Sequence, residues 1–166
     1  MLRPIDLTVL AYLTTGPTEW TQTSVARALR ISQSNVHRSL NQLRDSELLS
    51  ADQKPLVRPF RDLLVYTVRH VYPVKLGPPA RGVPTATSAP MLTDMVRSND
   101  NLVWPNDRGS KLGTSVTPLH NQVPLAALES PNFYEIMALI DVFRLGRIRE
   151  CREAQIRLDT LLAVCT

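Results

Sequence analysis

Ser34, Arg38 and Asn41, flanked by His37, fall on one side of a helix that turns by about 100° per residue. Val36, Leu40 and Leu43 occupy the other side and define a buried face. The polar side offers a hydroxyl, a guanidinium, an amide and an imidazole, and no large apolar residue. Arginine pairs with the edge of guanine and asparagine with that of adenine. The expected chemistry is therefore the reading of base edges in a groove of double-stranded DNA, not the making or breaking of bonds. Ser32, Gln33 and Asn35 stand near the start of the same helix, where side chains reach phosphates or the first base edges. A merely solvated face is usually rich in Lys and Glu, and residues 32–42 contain neither.

The elements that must carry these residues are two helices meeting at a short turn. Thr21 is placed to cap the first, and Trp20 with Val25 has the spacing of a hydrophobic staple. Val25, Ala26 and Leu29 give its apolar edge, with Ala26 small enough for a close helix crossing. Arg30 and Ile31 make the turn, without the glycine that is common there. Ser32 caps the second helix, and Ile31 with Val36 repeats the staple. A preceding helix from Pro4 to Thr15, ended by Gly16-Pro17, would buttress the pair, as in other three-helix DNA-binding heads.

Trp20-Thr21, the Val25-Ala26 pair, Leu29 and the run ISQSNVHRSLNQLRDSELL resemble the winged-helix regulators of bacteria, the MarR-like group in particular. The resemblance covers about the first third of the chain. It implies that the second helix is the recognition helix, that a β-hairpin wing follows it, and that the N-terminal helix contributes to a dimer.

No catalytic constellation accompanies this face. His37, His70 and His120 are scattered with no partner at ligand spacing, so neither a metal nor another cofactor is expected. Cys151 lies on the stripe of the last helix, where a small buried hydrophobe is the default. The alternative is a redox-sensing thiol near Arg147 and Arg152. Two cysteines without a CxxC suit a reducing cytoplasm. MLRPIDLTVLAYLTT does not read as a signal peptide, and no stretch approaches the roughly 20 apolar residues of a membrane span.

The formal net charge is +4, a mild bias toward an anionic partner. It is unevenly spread. Residues 1–53 carry five basic and five acidic side chains, whereas residues 54–111 carry nine basic and four acidic. Lys54, Arg58, Arg108 and Lys111 belong to that excess and are candidate contacts to the DNA backbone.

Beyond Leu49 no alternating strand pattern appears, so the wing is not legible there. Leu56 or Pro59 to His70 reads as a helix. Residues 71–90, with five prolines and two glycines, read as an extended strap over a surface. A short helix is expected from Pro90 to Val96. LVWPNDRGSKLGTSV reads as a hairpin: Leu102 to Trp104, a turn over Asn106 to Gly109, then Lys111 to Val116. It is either a displaced wing or a structural hairpin pairing with Val71 to Leu76. Ser130 and Pro131 open a helix to about Leu145 that is apolar on most sides, so it must be buried in its own core or in a partner. A last helix runs from Arg147 to Val164. Its stripe is Ile148, Cys151, Ala154, Leu158, Leu161 and Leu162, and its charged outer face includes Arg149, Glu150 and Glu153.

The expected fold is mainly α. A helix-turn-helix head occupies residues 1–53. Residues 54–129 form a helix, an irregular Pro-rich strap and a small β-hairpin. Residues 130–166 form a helical hairpin that serves dimerisation. The expected function is a cytoplasmic, nucleoid-associated, dimeric repressor that reads DNA with helix 32–46. The alternative is a protein-interaction module that keeps the head and binds a protein partner, as an antitoxin or a phage-defence or replication accessory would.

Overall fold

The computed structural model describes residues 1–165 and is mainly helical, with one small sheet. Helix α1 (Pro4–Thr15) opens on proline, and Asp6 accepts from the Arg3 backbone N–H at 2.7 Å. Helices α2 (Gln22–Leu29) and α3 (Gln33–Asp45) begin one residue after Thr21 and Ser32, both of which cap as expected. Thr21 accepts from the Ser24 N–H at 3.1 Å and Ser32 from that of Asn35 at 3.2 Å. The expected helix after residue 56 is divided into α4 (Val57–Tyr66) and α5 (Val68–Val71), with the break at Thr67.

The sheet corrects the expected hairpin. Strands β1 (Leu76–Pro84), β2 (Leu102–Pro105) and β3 (Lys111–Val116) close into a three-stranded unit. β1 is antiparallel to both others, paired with β2 over Gly82–Pro84 and with β3 over Leu76–Gly82. β2 and β3 run parallel to each other, Leu102 opposite Thr114 and Val103 opposite Ser115, and so are not the two arms of one hairpin. The cause is a backbone-on-backbone crossing. The Asn106 N–H donates to the Arg81 carbonyl at 3.1 Å, and Gly109 lies directly against Gly82. A Cβ on Gly109 would stand 2.0 Å from the Gly82 carbonyl carbon, and one on Gly82 would stand 1.9 Å from the Trp104 carbonyl oxygen. With no side chain on either glycine, the loop passes across β1 instead of turning back beside β2. The partner strand is thus Leu76–Pro84, later in the strap than expected, and Pro90–Leu92 forms a single 3₁₀ turn where a longer helix was expected.

Helices α6 (Val123–Glu129), α7 (Pro131–Leu145) and α8 (Ile148–Cys165) complete the chain. The buried character expected of α7 has its explanation inside the molecule. It packs on α1, α5, α6 and α8, and its residues from Ile136 to Arg144 are all buried. One continuous core runs from Leu7 of α1 to Leu162 of α8. Asp141 and Arg144 sit in it as an ion pair, and Asp6 and Glu150 are buried as well. Asp141 accepts from Thr85 Oγ1 at 2.8 Å, Trp104 Nε1 at 2.7 Å and Arg144 Nη1 at 2.7 Å. Arg144 also donates to the carbonyls of Tyr72 and Thr117. This network fastens the β-unit to α7, and among the described residues no buried side-chain nitrogen or oxygen is left without a partner, as a buried ion pair requires.

Helix α8 departs from its expected pattern at two positions. Ile148, placed on the buried stripe, is exposed, and Glu150, placed on the outer face, is buried. Glu150 turns inward to accept the Arg147 N–H at 2.8 Å, which satisfies the first turn of the helix. The ion pairs that α8 forms are Arg157 with Glu135 and Arg61 with Asp159, whereas Arg149 and Glu153 do not pair.

Candidate nucleic-acid interface

The candidate face of α3 begins with how that helix is held. Val36, Leu40 and Leu43 are buried against α1 and α2. Between them Ser39, also fully buried, donates to Asp6 Oδ1 of α1 at 2.7 Å. Asp6 in turn accepts from the Arg3 guanidinium at 2.7 Å. That hydrogen bond, more than the charge attraction, holds the Arg3 pKa above its ordinary value. Ser39, Asp6 and Arg3 thus fix the rotation of α3 about its axis, which decides which side chains face outward. Nothing in the apolar periodicity singles out Ser39. The available signal is that serine stands on the core side of the amphipathic α3 and aspartate within the largely buried α1, where each needs a polar partner.

On the outer side Ser34, His37 and Arg38 are exposed and Asn41 is half-buried. The Asn41 amide lies 3.2 Å from His37 Nε2, and Arg44 Nη1 donates to Asn41 Oδ1 at 3.5 Å. Arg44, absent from the expected set, joins this line of donors and acceptors one turn farther along. Among the described residues Arg38 has no hydrogen-bond or ion-pair partner, so its guanidinium is free for an external acceptor. Ser32 and Ser34 hydroxyls are 3.0 Å apart at the start of the helix. Gln33, expected at phosphates, binds Thr23 of α2, while Asn35 is half-buried.

The turn has its own geometry. Arg30 takes the left-handed conformation, φ 56° and ψ 40°, where glycine is usual. Its guanidinium donates to Glu129 at the end of α6 at 2.8 Å, tying the head to the later helices.

Directly after α3 the chain makes a minimal hairpin that the sequence pattern did not reveal. Leu49 and Pro55 form an antiparallel bridge. Ser50 N–H donates to the Lys54 carbonyl at 2.9 Å, and Leu56 N–H donates to that of Leu48 at the same distance. Glu47 and Gln53 adopt positive φ to make the reversals. Lys54 is exposed beside the tip, and Arg58 is exposed in the first turn of α4. Arg108 and Lys111 are exposed too, but they belong to the β-unit anchored on α7. The structure therefore gathers Ser32, Ser34, His37, Arg38 and Asn41 on one helix with Lys54 on the adjoining loop, and sets Arg108 and Lys111 on a separate element.

Residues 7–53 match the IclR helix-turn-helix domain. The head is thus a helix-turn-helix DNA-binding domain similar to that of a bacterial winged helix-turn-helix regulator family, and the narrower MarR-like resemblance is not confirmed by this match. The match spans α1 to α3 and ends at Gln53, inside the minimal hairpin. No curated protein and no solved structure matches the chain.

Among the described residues no group of three His, Cys, Asp or Glu side chains is arranged to hold a metal ion. Cys151 is half-buried, and burial pushes its thiol pKa up despite Arg69 Nη2 at 3.6 Å. A thiolate sensor requires the opposite shift. No helix among the described residues is long and apolar enough to cross a membrane.

Proposed function

We propose that the protein is a sequence-specific transcriptional regulator, a dimeric repressor, that inserts α3 into the major groove of double-stranded DNA. Ser34, His37, Arg38 and Asn41 meet base edges. Ser32, Gln33, Asn35, Lys54 and Arg58 stand at the phosphates, with the Leu49–Pro55 loop as a reduced wing. Arg108 and Lys111 complete the positive surface of the same molecule. The observation that carries this reading is the exposed, lysine-free and glutamate-free face of α3 with Arg38 unpaired, on a helix whose rotation is locked by Ser39 and Asp6.

Because α7 is covered within the chain, the dimer rests on the outer side of α8. Along α8, Ile148, Ile156 and Val164 are exposed, each displaced round the helix by about 80° from the one before. Two copies would present two recognition helices to half-sites about 34 Å apart. The site of action is the cytoplasm, at the nucleoid.

Selection of bound fragments from random duplexes tests the whole reading. Enrichment of a two-fold symmetric site is the expected result. Recovery of fragments with no common sequence, with binding that does not weaken steeply in salt, would favour a protein-interaction module in place of a regulator.

A further inference from the structure

A cavity of about 620 Å³, open to solvent on one side, lies between the β-unit, the loop that precedes β2 and the junction of α7 with α8. Its volume is within the range of small-molecule sites. Two of its polar wall groups are more than nine-tenths buried and have unused bonding capacity. Thr87 is 6% exposed and its hydroxyl has no hydrogen-bond partner among the described residues, yet none of their buried side-chain polar atoms is sealed away unpaired. The Thr87 oxygen therefore opens into the cavity. Glu150 is 8% exposed. Its Oε2 is taken by the Arg147 N–H at 2.8 Å, and Oε1 has no partner among the described residues. Both oxygens reach the solvent that fills the cavity, so each is free to bond a ligand that displaces that solvent.

The remaining wall defines what fits. Asp100 adds a second carboxylate, and the exposed Arg147 supplies one guanidinium. Leu76 and Leu112, among the most exposed apolar side chains of the molecule, flank the opening with Leu145. We propose that this cavity binds a small zwitterion of the α-amino-acid type with an apolar side chain. The ammonium donates to Glu150 and Thr87, the carboxylate meets Arg147, and the apolar body covers the leucines. An ammonium is the donor that a buried carboxylate favours most, because the hydrogen bond is charge-assisted on both sides.

Calorimetric titration of the full chain, without DNA, tests this with three probes. These are L-leucine, isopentylamine, which lacks the carboxylate, and 4-methylpentanoate, which lacks the ammonium. Failure here is thus separable from failure of the head to bind DNA. L-Leucine is expected to bind, and each one-charge analogue to bind at least about ten-fold more weakly. Thr87→Val and Glu150→Gln each weaken L-leucine by about ten-fold. Arg147→Gln lowers L-leucine to the level of the amine and leaves the amine unchanged. Thr87→Val keeps the wild-type Tm, since its hydroxyl has no protein bond to lose, so lost binding in that variant is not lost folding. No heat with L-leucine at millimolar concentration overturns the proposal. So does binding of 4-methylpentanoate as tight as that of L-leucine, or binding indifferent to Thr87→Val and Glu150→Gln.

Discussion

Replacing Arg38 by alanine separates the reading of bases from everything else that α3 does. The side chain is exposed and, among the described residues, makes no hydrogen bond or ion pair, so its loss should change folding stability by no more than about 0.5 kcal/mol, the range of ordinary surface substitutions. At the site recovered by selection the effect is different. A bidentate contact to one base is worth about 1–3 kcal/mol of discrimination. The variant should therefore relax preference at one base pair of each half-site by about 5- to 150-fold, and leave the other positions as they were. Fluorescence anisotropy against the selected duplex and its single-base variants measures this directly. Repeating it across a salt series distinguishes the two kinds of contact. A base contact leaves the salt slope nearly unchanged, whereas loss of a phosphate contact lowers it by about one and weakens all sequences alike. Discrimination retained at every position would refute the assignment of Arg38, and the structure leaves no loss of folding to explain it away.

Three further outcomes follow from the interior and the turn. Asp141→Asn leaves the Arg144 guanidinium buried without its counter-charge, and should reduce unfolding free energy by about 3–5 kcal/mol in urea titrations; a loss below 1 kcal/mol, on the order of a surface pair, contradicts the buried-pair reading. Burial pushes the phenols of Tyr72 and Tyr134 up to about 12, above the ordinary value near 10. The folded state therefore keeps these protons longer than the unfolded one, so stability is full below pH about 10 and falls as pH rises toward 12; Tyr134→Phe should flatten that fall in Tm, and an unchanged alkaline profile would count against it. Arg30→Gly relieves a left-handed non-glycine conformation worth about 1–2 kcal/mol and loses an exposed pair with Glu129 worth about 0–1 kcal/mol. It should be neutral to stabilising, while Arg30→Ala keeps the strain and loses the pair; a glycine variant less stable than the alanine one would reverse this reasoning.

The head was legible because its determinants are local. Caps at Thr21 and Ser32 and the stripes of α2 and α3 lie within one or two turns of the residues they organise. The minimal hairpin after α3 escaped the pattern because it has a single bridge, Leu49 with Pro55, and no alternation to read. The β-unit escaped for a different reason. Its strands are visible as apolar runs, but the parallel relation of β2 and β3 depends on Gly82 meeting Gly109 across β1. No local turn rule encodes that contact. Glu150 was misplaced because charge was taken as a mark of the outer face, whereas a carboxylate near the start of a helix has backbone donors to satisfy. Asp141 and Arg144 carried a usable signal: they are the only charges between Ile136 and Leu145, spaced to pair on one turn.

The buried polar groups also decide what kind of head this is. In a tethered reading head the recognition helix is positioned by its own three helices, and the rest of the chain hangs from a linker. Here Ser39 of α3 reaches Asp6 of α1, and α1 packs on α7. Tyr72 donates to the Leu2 carbonyl just before α1 and receives Arg144 on its own carbonyl. Arg144 holds Asp141, and Asp141 holds Thr85 and Trp104 of the β-unit. Arg30 and Glu129 close a second link on the surface. With apolar packing continuous between these bonds, α3 and the β-unit share one core, and the direction in which Arg38 points is set by residues far beyond the match that ends at Gln53. The later two-thirds of the chain therefore act on the reading helix as its mount.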